Sequence, residues 1–150
     1  MLLFSCGGRL SHADKNAQLT AERTRLTQKK DPVDKTKTYI RISGLLLDLA
    51  STAAQDGDTQ RLESLLGDYA DTVKTARKTM VESGRDPDRM SGGYRELEIS
   101  LRTQTRTLKD LQTVLSIDAR DPVDKALQTI TSVRQEILKY LFPSTQQATR

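Results

Sequence analysis

Apolar residues return at steps of three and four along most of the chain, and the stretches that keep this rhythm are separated by short polar joins. That is the helical period, so the pattern predicts helices throughout. From Pro32 onward Ile40, Ile42, Leu45, Leu46, Leu47, Leu49, Ala50, Ala53 and Ala54 form an apolar surface too wide for one face, which predicts a helix covered on more than one side. Gly44 lies inside it and predicts close approach by a neighbouring helix, because an exposed Gly would cost about 1 kcal/mol against Ala. Asp56-Gly57-Asp58 reads as a turn, with Gly57 ending this helix and Asp58 capping the next.

The following helix, over 59–82, carries one stripe of Leu62, Leu65, Leu66, Tyr69, Val73, Ala76 and Met80, with Arg61, Asp68, Lys74, Arg77 and Lys78 on its wet side. Ser83 to Gly93 holds the turn formers Gly84, Pro87, Gly92 and Gly93 and connects two long antiparallel helices. Its Arg85, Asp86, Asp88, Arg89 and Met90 offer a polar contact surface as the alternative role. Over 94–117 the stripe Tyr94, Leu97, Leu101, Gln104, Leu108, Leu111 and Leu115 is nearly a strict coiled-coil heptad. Gln104 is its one polar member: either a buried amide that fixes register or the point where the stripe surfaces. Val123, Leu127, Ile130, Val133, Ile137, Leu138 and Leu141 predict the last helix, before Phe142-Pro143 and a frayed tail. The stretch 15–30 is polar and basic, and its Leu19 and Leu26, seven apart, predict only a weak helix docked on the rest.

Two of these helices open with the same five letters, Asp31-Pro32-Val33-Asp34-Lys35 and Asp121-Pro122-Val123-Asp124-Lys125. Asp is a preferred N-cap and Pro a preferred first helical residue, so the motif is a helix start. Asp34 and Asp124 then fall where a carboxylate can reach back to the cap, and both acids sit at the positive end of the helix dipole. The spacing of the copies raises a duplication of two halves, although little else in the halves aligns.

The expected fold is therefore all-α: an antiparallel, up-down-up-down bundle of four long helices plus a weaker N-terminal helix, spanning 14–142, with 143–150 as tail. A length of 150 residues suits one domain, and 29% charged residues with no Trp and four Pro suit a charged helical protein. No apolar run reaches membrane-spanning length.

Residues 1–13 differ in character. A short apolar start, then small residues up to Ser11-His12-Ala13, has the back half of a secretory signal but no basic front half. The reading is a truncated leader cut after Ala13 and an exported protein, with a cytoplasmic chain as the alternative; Cys6 also fits a lipidation site loosely. Cys6 and His12 are the sole Cys and His of the chain. With the leader removed, no thiol nucleophile, imidazole base or Cys/His metal site is left. Glu63, Glu82, Glu96, Glu98 and Glu136 lack the His partners of di-iron bundles, and no Gly-rich phosphate loop appears. No catalytic, cofactor-binding or metal-ligating residue is expected, and no enzymatic activity.

The net charge is +4, and residues 23–41 alone carry +5 through Arg23, Arg25, Lys29, Lys30, Lys35, Lys37 and Arg41 against Asp31 and Asp34. This stretch is the candidate anion- or partner-binding patch, suited to phosphates or anionic headgroups. Tyr39 is its single aromatic and no DNA-binding motif accompanies it, so nucleic acid is the alternative reading rather than the first. The first is a non-enzymatic helical interaction or structural module whose partner is a protein, itself or an envelope component. The chain also resembles small exported bacterial helical-bundle proteins of unknown function, in which an Asp-Pro-Val-Asp/Glu-Lys/Arg element opens a helix followed by Leu-Leu-Leu-Asp, here Leu45-Leu46-Leu47-Asp48. The likeness covers most of 20–142 and implies a fold and an exported location, not an activity.

Overall fold

A computed structural model describes residues 11–89 and 91–143. It contains five α-helices: α1 His12–Gln28, α2 Pro32–Gln55, α3 Thr59–Glu82, α4 Gly92–Val114 and α5 Asp121–Leu141, with a 3-10 turn at Ile117–Ala119 before α5. The predicted stripes become the core. Leu46, Leu49, Leu62, Leu66, Leu97, Leu101, Leu108, Ile130 and Ile137 are all buried, and they fill the space between α2, α3, α4 and α5.

Helix directions alternate, as the short joins require, but the neighbours are not those of a simple up-down-up-down ring. Around the bundle the order is α2, α3, α5, α4, so α3 and α4 face each other across a diagonal and meet only sparsely. Parallel helices are therefore neighbours, α2 beside α4 and α3 beside α5. The connector after α3 has to cross the end of the bundle, which explains its length. Gly84 makes its first turn at a φ of 64°, and Arg85 reaches the carboxylate of Asp31 at the start of α2. Arg89 pairs with Asp86 inside the loop, and Met90 lies outside the described residues.

Ion pairs follow this neighbour order. Lys37 and Glu96 join α2 to α4 at 3.6 Å, Arg77 and Glu136 join α3 to α5 at 2.5 Å, and Arg134 and Glu98 join α5 to α4 at 2.9 Å. Each is worth little in stability at the surface, but together they match the observed pairing of helices and oppose others. The repeated motif opens α2 and α5, which lie diagonally and start at opposite ends of the bundle. A duplicated two-helix unit would instead place its second copy on α4.

α2 has three neighbours, α1, α3 and α4, as its wide apolar surface predicts. Gly44 is not the reason. A Cβ there would meet nothing within 4 Å, because the residue borders an open groove beside α1. The tight glycine is Gly93, where a Cβ would lie 2.5 Å from Met80 Sδ. There the starts of α2 and α4 converge on the end of α3.

α1 lies antiparallel on α2 and is joined to it by ion pairs between Lys15 and Asp48 at 3.6 Å and between Glu22 and Arg41 at 3.0 Å. Leu19 is its one buried apolar side chain, with Leu26 partly covered. It begins in a full capping box: Ser11 accepts from the Asp14 N–H and Asp14 accepts from the Ser11 N–H. The Ser11 hydroxyl also donates to the Asp14 carboxylate at 2.7 Å, and this bond above all, with the one from the Ser11 N–H, holds the Asp14 carboxyl below the usual range.

Candidate functional site

The two copies of Asp-Pro-Val-Asp-Lys do different work. Asp31 is a true N-cap: one carboxylate oxygen accepts from the N–H of Val33 at 2.9 Å and of Asp34 at 3.1 Å, while the other takes Arg85. The Asp34 amide bond above all lowers the Asp31 carboxyl below its usual range, with the Arg85 charge adding to it. Asp34 thus donates to the cap, and its own carboxylate does not reach back. In the second copy the helix starts one residue earlier. Arg120 is the cap position, already in helical conformation, and its carbonyl takes the first helical bond, from Asp124 at 2.9 Å. Asp121, expected as a cap, is the first helical residue and pairs instead with Lys125 at 3.2 Å. The cause is the 3-10 turn at Ile117–Ala119, which delivers the chain already coiled and leaves no extended residue to cap. Asp124 accepts from the Gln112 side chain at 2.5 Å, tying α5 to α4.

One prediction follows directly. Asp31→Ala removes a two-donor cap and the anchor of the crossing loop, and should lower Tm by about 2–4 °C, whereas Asp121→Ala should leave it within about 1 °C. Because the Asp31 carboxyl is lowered on folding, its contribution is present above the ordinary carboxylate pKa near ~4 and fades as pH falls through its lower folded value. The gap between wild type and Asp31→Ala in scanning calorimetry should therefore shrink below about pH 4.

The basic patch divides in the same way. Glu22 of α1, only 8% exposed, accepts from Arg25 at 2.8 Å and from Arg41 at 3.0 Å, and Arg41 also donates to Thr38. Arg23 pairs with Asp68 at 3.3 Å, and Lys37 with Glu96. Four of the seven cations are thus ion-paired, and three of them, Arg23, Lys37 and Arg41, join one helix to another. Lys29, Lys30 and Lys35 enter no ion pair among the described residues and gather at the α1–α2 turn.

At the opposite end lies a feature that periodicity did not single out. An open cleft of about 520 Å³ is lined by Thr59, Gln60 and Glu63 of α3 and by Ser116, Asp118, Ala119, Asp121 and Pro122 at the α4–α5 corner. Beside it Val114 is 74% exposed and Ile117 81%. The signal was available: Val114 and Ile117 fall off the stripe that ends at Leu115, so an apolar pair had no core position to fill. Glu63, Asp118 and Asp121 make the cleft itself acidic, while Lys29, Lys30, Lys35 and Lys139 lie at the other end of the bundle together with Asp31, Asp34, Asp86 and Asp88.

Midway along the bundle the polar member of the α4 stripe is buried and fully paired. Gln104 accepts from the Tyr69 hydroxyl at 3.1 Å and donates to Ser43 at 2.8 Å and Ser100 at 3.0 Å. Burial pushes the Tyr69 phenol far above its ordinary value, so it stays a neutral donor. Tyr94, also raised by burial and then by Tyr140, donates to the Met80 carbonyl and stacks on Tyr140.

No three His, Cys, Asp or Glu side chains group to hold a metal among the described residues, and no described helix is long and apolar enough to cross a membrane. His12 shares a hydrogen bond with Asn16 on α1, and Cys6 lies outside the described residues. Comparison with protein-family models, curated proteins and solved structures finds no match.

Proposed function

We propose that this chain is a non-enzymatic helical interaction module that binds a protein through the ends of its bundle. The observation that carries the reading is the exposure of Val114 and Ile117 beside an acidic cleft, in a molecule whose other stripes bury their large apolar residues well. Isolated exposed apolar side chains are ordinary, but a pair at 74% and 81% exposure on one corner, rimmed by carboxylates, has the composition of a contact site. Export is part of the proposal and is supported by the character of residues 1–13. A chain cut after Ala13 would begin at Asp14 and lose the Ser11 cap of α1.

A photo-crosslinking residue at Ile117, in living cells, should give a discrete protein adduct, while the same residue at exposed Gln135 on the flank of α5 should not. Equal, diffuse labelling at both positions overturns the reading. The alternative, binding of nucleic acid or an anionic surface, is favoured by Lys29, Lys30 and Lys35 at the α1–α2 turn, which enter no ion pair among the described residues. It requires salt-sensitive DNA or vesicle binding that is lost in Lys29→Glu/Lys30→Glu/Lys35→Glu.

A further inference from the structure

We infer that the acidic cleft is the mouth of a trough between α3 and α5 that receives a cationic, amphipathic helix of a partner protein; this rests on the reading of the chain as an interaction module and names the chemistry of what it binds. A second cavity, of about 290 Å³, continues from the cleft along the flank of the bundle, and the two share Glu63 of α3 and Pro122 of α5. Glu63, Gly67, Ala70 and Lys74 recur at steps of four and three, so they form one line along α3. Pro122, Ala126 and Thr129 form the facing line on α5. From Thr59 to Lys74 the trough runs for about 22 Å at the helical rise. Past Lys74, Arg77 and Glu136 bridge the two helices and mark its end.

Shape and charge together select the occupant. The floor is built of small residues, and a Cβ on Gly67 would meet nothing within 4 Å, so open space stands above it. A hole floored by Gly67, Ala70 and Ala126 between two parallel helices takes a large apolar side chain of a third helix, as a knob fills a hole in a coiled coil. The lining carries four carboxylates, Glu63, Asp71, Asp118 and Asp121, against two ammonium groups, Lys74 and Lys125. Both lysines are already paired, with Asp71 at 3.8 Å and Asp121 at 3.2 Å. Glu63 and Asp118 enter no ion pair or side-chain hydrogen bond among the described residues, and both line the cleft. The cations nearest in sequence pair with neither: Arg120 donates to the Leu115 carbonyl, and Arg61 lies on the far side of α3 from Glu63. Ile117, 81% exposed between the lining residues Ser116 and Asp118, adds an apolar contact at the mouth. The occupant is therefore a helix of about four turns, with one large apolar side chain for the hole and Lys or Arg toward the cleft.

The probe is a blocked peptide of about 15 residues made of Ala, Leu and Lys, with its leucines on one helical face and a net charge of about +5. Titrated into the isotope-labelled full chain, it should shift the amide signals of Glu63, Gly67, Ala70, Asp118 and Thr129 first, and it should gain helix as it binds. The same peptide with every Lys replaced by Glu should bind at least about tenfold more weakly. Gly67→Phe fills the trough from a position with open space, so it should weaken binding by at least about tenfold without lowering the helical melt. Glu63→Gln/Asp118→Asn should weaken it by at least about fivefold, whereas Asp86→Asn/Asp88→Asn at the other end should change it by less than about twofold. Shifts scattered over the surface, equal binding of the acidic peptide, or a Gly67→Phe chain that binds like wild type overturns the inference. So does no binding at about 1 mM peptide. The interaction reading fails separately: a discrete crosslink from Ile117 to a protein that binds the Gly67→Phe chain as well as wild type would keep that reading and overturn this one.

Discussion

Gln104→Ala is expected to lower the unfolding free energy by about 3 kcal/mol. Two effects combine. The shortened side chain leaves a void in the middle of the bundle, and the Tyr69 hydroxyl, on a residue with no exposure at all, loses its acceptor. Gln104→Leu separates them, since it fills the space and still strands the hydroxyl, at a cost of about 1–3 kcal/mol. Adding Tyr69→Phe to Gln104→Leu removes the stranded group and should recover most of that loss. Ser43 keeps its own bond to the Ile40 carbonyl in every variant, so the coupling belongs to the Tyr69–Gln104 pair. Urea midpoints at constant m for wild type, Gln104→Leu, Tyr69→Phe and the double variant give the coupling. Because the Tyr69 phenol is held far above its ordinary pKa, the coupling should not change between about pH 5 and 9. A Gln104→Leu protein as stable as wild type would mean that the amide serves neither stability nor register.

This network shows where sequence reasoning reaches and where it stops. The period of the stripes names the residues that are buried, and Leu97, Leu101, Leu108 and Leu111 are buried as the pattern requires. At Gln104 it could only pose two outcomes, because the deciding groups, Tyr69 and Ser43, stand 35 and 61 residues away. The same limit explains the helix order. A stripe says that a face is covered but not by which neighbour, and pairs such as Lys37–Glu96 and Arg77–Glu136, which match the diagonal placement of α3 and α4, join residues 59 positions apart in sequence. Capping was legible where the Asp itself stands outside helical conformation, as at Asp31 and Asp58, and misread at Asp121, where an unforeseen 3-10 turn shifts the helix start by one residue. The candidate site was legible only in part. The charge run over 23–41 is real, but Glu22, itself a member of the weakest predicted helix, absorbs two of its arginines.

The glycines make the sharpest contrast between pattern and packing. Gly93→Ala should destabilise by about 1–3 kcal/mol even though Ala is the better helix former. Its Cβ would lie 2.5 Å from Met80 Sδ and 2.7 Å from Cε, with Val33 Cγ2 at 3.4 Å on another side. A methionine end can swing away when it has somewhere to go. Met80 has no exposure, and its backbone carbonyl is fixed by the Tyr94 hydroxyl at 3.1 Å, so the strain spreads into the junction of α2, α3 and α4. Met80→Ala is costly alone, but it removes the clashing atoms; on that background Gly93→Ala should be neutral or stabilising. Gly44→Ala, with nothing within 4 Å of its Cβ, should raise stability by about 0.5–1 kcal/mol through helix propensity and a less disordered unfolded chain. Urea denaturation of the four proteins reads both signs. If Gly93→Ala raises stability as Gly44→Ala does, Met80 yields freely, and the starts of α2 and α4 are not locked against the end of α3.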